Sequence, residues 1–118
     1  MINIFIQENV SYNNLDALKE ILRGRNWKLK DVSIIYNPAR GLSNPYFIDK
    51  WPFKANFDID GKEVAIWIYT LTVGYGGTGP HDLASILNFL GVSYADEEIF
   101  TKRKMDYDGY IRLKYTMS

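Results

Sequence analysis

Apolar positions along the chain change period several times, and each change marks an element. Ile2 to Gln7 is a short apolar run that reads as a strand. Leu15, Leu18 and Leu22 then recur at helical spacing, Ile21 widens the stripe, and Gly24 supplies a stop. Asn13 or Asn14 is placed to cap this helix over Leu15 to Arg23. Lys28 to Tyr36 returns to strand character, strongest at "VSIIY". No clean period survives from Asn37 to Lys54, "NPARGLSNPYFIDKWPFK", where three prolines fall within eighteen residues. Loops of that length inside a compact domain are uncommon and often carry function.

The next stretch, "ANFDIDGKEVAIWIYTLTV", contains Asp60-Gly61, a strong two-residue hairpin turn. In the arm from Lys62 to Val73, Val64, Ile66 and Ile68 point one way, while Ala65, Trp67, Tyr69, Leu71 and Val73 point the other. Apolar residues on both faces predict a central strand, covered on both sides or at least twisted into the core. Leu83, Ile86, Leu87 and Leu90 form a helical stripe that Gly91 ends. Ser93 and Asp96 are spaced to open a short helix over "YADEEIFTK". A second hairpin is expected around Asp108-Gly109, with Ile111, Leu113 and Tyr115 facing in and Arg112 and Lys114 facing out. The order is β-α-β-loop-β-β-α-α-β. Two Asp-Gly hairpins require antiparallel pairs. The pattern therefore predicts an α+β fold, a single compact domain over residues 1–118 with a mainly antiparallel sheet of 5–6 strands and 2–3 helices.

Composition narrows the function classes. The chain has 118 residues, no cysteine and a formal net charge of zero. Without cysteine there are no disulfides, zinc–thiolate sites or thiol chemistry, which suits a reducing cytoplasm. Zero net charge gives no bulk attraction to nucleic acid or an anionic membrane. The basic run Lys102, Arg103 and Lys104 follows the acidic "DEE" and reads as a solvated helix face with internal ion pairs. No secretory signal and no membrane-spanning apolar run is seen, so a cytoplasmic protein is expected. Aromatic residues reach 15%, enough to fill a core and still supply a binding surface.

"TVGYGGTGPHDLASIL" carries the sharpest candidate chemistry. Gly74, Gly76 and Gly79 satisfy G-x-G-x-x-G between a strand and a helix, and Asp96 follows near the place of a ribose-binding acid. The fingerprint, however, belongs to a βαβ unit in a parallel sheet, and here the preceding strand is a hairpin arm. A Walker lysine is also missing. What remains is an anion corner. Free N–H groups at a helix start, flanked by Gly74, Gly76, Gly77 and Gly79, can approach a phosphate closely. Thr78 adds a hydroxyl, His81 a donor and Tyr75 a stacking ring, while Asp82 opposes an anion. A tight strand-to-helix turn with no ligand explains the same glycines.

Other catalytic signs are weak. His81 is the only histidine and has no orienting carboxylate at helical spacing. "DID" at Asp58 to Asp60 lacks the rest of a calcium loop, and no metal or cofactor is expected. No nucleophile elbow occurs. The first reading is a small non-enzymatic protein that sequesters or senses an anionic, nucleotide-like molecule. Gly74 to Gly79 and His81 would hold the anion, Arg40 would neutralise it, and Tyr75 or Trp51 would stack. The alternative is a protein-interaction module, such as an inhibitor, an immunity protein or a phage or bacterial accessory protein. It would use Tyr46, Phe47, Trp51 and Phe53 of the aromatic loop. Exposed aromatics and sheet edges in so short a chain also invite a homo-oligomer.

Overall fold

A computed structural model describes residues 1–7, 13–36, 52–71, 73, 78–101 and 109–117, with 78 and 79 described by backbone alone. The elements are β1 (Ile2–Ile6), α1 (Asn13–Leu22), β2 (Trp27–Tyr36), β3 (Phe53–Ile59), β4 (Lys62–Ile68), α2 (Thr78–Leu90), a π-helical turn (Glu97–Thr101) and β5 (Ile111–Thr116). The strands form one sheet in the order β1-β4-β3-β2-β5. Every neighbouring pair is antiparallel except β1 with β4, which is parallel. The fold is α+β, as the periodicity predicts. Among the described residues, no helix is long and apolar enough to cross a membrane.

The helices form where their stripes require. Leu18 and Leu22 of α1 and Leu83, Ile86, Leu87 and Leu90 of α2 are all buried. The α2 terminus closes as a Schellman motif. Val92 N–H donates to the Leu87 carbonyl at 2.9 Å, Gly91 N–H donates to Asn88 at 3.2 Å, and Gly91 takes a φ of +77°. Asn14 does not cap α1. It lies within the helix, fully buried, and its amide donates to Thr70 Oγ1 at 2.9 Å and to the Thr70 carbonyl at 3.3 Å. That pair ties the start of α1 to the chain just beyond β4. The short helix expected after Ser93 is a single π-helical turn that buries Ile99.

The two sheet faces differ. Ile6, Val64, Ile66, Ile68, Phe53, Ala55, Phe57, Val32, Ile34, Ile111 and Leu113 share the helix side by register and join one core with α1 and α2. Trp27 reaches α2 from this side, its ring 5.9 Å from Phe89. In β2 a bulge between Leu29 and Asp31 flips the parity. Trp27 and Leu29 face the core before it, and Val32, Ile34 and Tyr36 face the core after it.

Three sequence expectations shift. The Lys62-to-Val73 arm ends as a strand at Ile68, and Leu71 and Val73 are buried beyond it. Its second apolar face is not roofed by either α-helix, because both lie on the other side. On that face Ala65 is fully buried and Trp67 is half-buried. The irregular segment read as ending at Lys54 gives way to β3 at Phe53. The C-terminal strand pairs with β2, and the first arm of its expected hairpin lies outside the described residues.

Candidate functional site

Both binding segments anticipated from the sequence leave from one end of the sheet. Tyr36 at the end of β2 pairs with Ile111, Ile34 pairs with Phe53, and Phe53 pairs with Ile68 at the end of β4. The chain departs there toward the aromatic loop and, soon after β4, toward the glycine corner. Ile6, at the end of β1, pairs with Ile68 and so joins the same end.

Most of the named site residues fall outside the described residues: Arg40, Tyr46, Phe47, Trp51, Gly74, Tyr75, Gly76 and Gly77. Thr78 and Gly79 are described only as the first residues of α2, so the helix starts directly after the glycines. His81 is exposed in that first turn, and its ring packs 4.9 Å from Phe100 of the π-helical turn. Phe53, proposed from sequence as a partner-binding aromatic, needs correction. It is fully buried in β3 between Ile34 and Ile68, so its ring is core and no partner reaches it.

The side of the sheet away from α1 and α2 carries an aromatic and cationic patch near the same end. Register places Phe5, Trp67, Lys54, Ser33 and Lys114 in one row across all five strands. Phe5 stacks on Trp67 with centroids 6.0 Å apart and planes 19° from parallel. Lys54 Nζ lies 4.7 Å from the Trp67 ring centre, within cation–π range. The Trp67 indole N–H donates to Asn3 Oδ1 at 3.1 Å, which fixes the ring plane. Phe5 remains 49% exposed. One row away, Asn56 donates to Asp31 Oδ1 at 2.7 Å. Arg112 lies 5.5 Å over the Tyr110 ring. The surface is broad, apolar at one side and basic at the other.

Two concavities lie elsewhere. A cleft of about 460 Å³ opens at the opposite end, beside the Asp60-Gly61 turn, on the helix side. Ile2, Ile4, Ile21 and Val64 floor it, and Arg23, Arg25 and Lys62 share its rim with Glu20 and Asp60. Arg23 pairs with Glu20 at 2.6 Å and Arg25 with Asp60 at 3.5 Å. A shallower groove of about 530 Å³ runs between the 93–98 segment and β5. There Tyr115 Oη donates to Glu98 Oε2 at 3.0 Å. Burial, and then the carboxylate beside it, push the Tyr115 phenol above its ordinary value. A neutral phenol held as a donor is structural in character. Among the described residues, no cluster of three or more His, Cys, Asp or Glu could hold a metal.

Sequence reasoning passed over Phe5, Lys54 and Trp67. Trp67 and Lys54 are related by the Asp60-Gly61 hairpin, so their adjacency was within reach. The parallel pairing that brings Phe5 beside them is a long-range choice that no local pattern encodes. No protein-family model, curated protein or solved structure matches this chain.

Proposed function

We propose that this chain is a protein-interaction module whose contact surface is the sheet face away from α1 and α2, around Phe5, Trp67 and Lys54. The observation that carries the reading is the half-exposed Phe5–Trp67 stack with Lys54 against it. Aromatic side chains are enriched at protein interfaces, and tryptophan above all at their hot spots. A broad sheet surface also suits a protein better than a small molecule, which needs a concave site. Lys54 closes the aromatic segment that the sequence singles out as a binding loop. The cysteine-free composition fits action in a reducing cytoplasm.

The test is a photo-crosslinking residue in place of Lys54, with the same residue at the exposed helical Ser85 as control, in cells that make the protein. A discrete adduct with another protein at position 54 and none at 85 is expected. Equal labelling at both positions, or none at 54, refutes the reading.

A second reading is a small anionic ligand held at the glycine corner. It is supported by the helix start at Thr78, the exposed His81 and the shared sheet end from which both segments leave. Native mass spectrometry of gently purified protein tests it. A retained mass of a few hundred daltons, lost in Gly76→Val, favours a ligand.

A further inference from the structure

The two edges of the sheet are built differently. β5 carries Arg112 and Lys114, both exposed, and the 93–98 segment runs beside it. Charged side chains and nearby cover are the usual protections of a sheet edge. Among the described residues, β1 has neither. Residues 1–7 read "MINIFIQ", with no charged side chain and no proline. The large exposed hydrophobic side chains among the described residues, Met1 at 73%, Ile2 at 46% and Phe5 at 49%, all belong to β1 or its first flanking residue.

The main-chain geometry of this edge follows from one bond. Tyr69 N–H donates to the Ile6 carbonyl at 3.2 Å. In a parallel ladder, successive residues turn their main-chain groups to opposite sides. Even-numbered residues of β1 therefore face β4, and Asn3, exposed, turns its N–H and C=O outward. A strand laid against β1 would put some side chains toward the cleft floored by Ile2 and Ile4 and others toward Phe5.

We infer that the occupant of this edge is a second copy of the same chain, with β1 pairing antiparallel to β1 about a twofold axis. An isologous contact sets a patch against itself, so a patch of one charge would repel its own image. Here the strand is uncharged, and the adjoining rim carries both signs: Arg23, Arg25 and Lys62 with Glu20 and Asp60. Neither sign dominates that rim, so a second copy meets no single-sign patch. The zero net charge adds no long-range repulsion. A single strand pair is a small interface, so dissociation on the order of micromolar is expected. The inference is independent of the Lys54 crosslink, which reports on the sheet face and not on the edge.

Sedimentation equilibrium from about 1 to about 300 μM, spanning that range, tests it. Wild type and the conservative Ile2→Val should move from the 13.7 kDa chain mass to twice that value. Ile2→Lys, which puts a charge on the paired edge, and Asn3→Pro, which removes an N–H facing away from β4, should stay at single mass. Hydrogen exchange of the Asn3 amide in wild type serves if a variant fails to fold, and its protection should fall on dilution. A single-chain mass throughout, a dimer that survives both variants, or Asn3 exchange independent of concentration overturns the proposal.

Discussion

Trp67→Ala tests whether the aromatic patch also holds the first strand in place. β1 joins the sheet through one parallel partner, β4, and among the described residues has no strand on its other side. Three contacts of Trp67 reinforce that seam. The stack with Phe5 is worth about 1 kcal/mol beyond area burial. The Lys54 contact, at a half-exposed site, adds about 0.5 kcal/mol. The indole hydrogen bond to Asn3 adds about 0.5 kcal/mol, because on an exposed face water replaces much of it. The sum is about 2 kcal/mol, or roughly 8 °C in Tm for a domain of this size.

Trp67→Phe should keep the stack and lose the hydrogen bond, and so cost about 1 kcal/mol or less. Urea unfolding of the three proteins measures the difference, and hydrogen exchange locates it. Amides of Ile4 and Ile6, which face β4, should exchange faster in Trp67→Ala, while those in β2 and β3 change only with global stability. A loss below about 0.5 kcal/mol, or acceleration spread evenly over the sheet, would refute the reasoning. In that case Trp67 is held in place for binding alone.

Phe53→Ala should cost about 3–5 kcal/mol, read by chemical denaturation, since Phe53 is fully buried in the central part of the sheet. An unchanged midpoint would return Phe53 to the surface. Gly61→Ala should cost about 1 kcal/mol through backbone strain alone, because Gly61 sits at φ +82° and no atom within 4 Å would meet the added methyl. Thermal melts measure this, and no change would argue against a primed turn. Stability should fall as pH rises above about 10, because the unfolded phenol ionises there while Tyr115 in the folded state keeps its proton. Tyr115→Phe should make the alkaline fall shallower in urea titrations, and an identical slope would remove Tyr115 as a source.

The local elements were legible because local physics decides them. The leucine stripes of α1 and α2, the glycine stops and the Asp60-Gly61 turn each need only a few neighbouring residues. Asp60 at φ +53° and Gly61 at +82° adopt the conformation that this dipeptide favours. The parity flip in β2 was also present as a signal, with apolar residues at 27 and 29 and then at 32, 34 and 36. A continuous strand reading hides it, because a bulge costs one residue and leaves no turn signature. Asn14 misled for a different reason. Its type suits a cap, and only the fold brings Thr70 to its amide. β4 is an inner strand, as its two apolar faces predict, and on the face away from α1 and α2 Phe5 and Lys54 lie against a half-buried Trp67.

The site was hardest to read because its parts meet across strands that are distant in sequence. Phe5 and Trp67 are neighbours only because β1 lies parallel to β4, a pairing that needs a long crossover and has no turn to announce it. The same pairing leaves β1 at the edge, where its uncharged sequence becomes consequential. An uncharged apolar run in a central strand is ordinary packing, while at an edge it is an invitation to pair. Placement therefore makes "MINIFIQ" an exposed edge and not a core strand. It also makes the two proposals separable, since the face depends on the side chains of Phe5, Lys54 and Trp67 and the edge on the outward main chain of Asn3. A variant that blocks the edge while preserving the Lys54 crosslink would show that self-association and partner binding use different surfaces of the same strand.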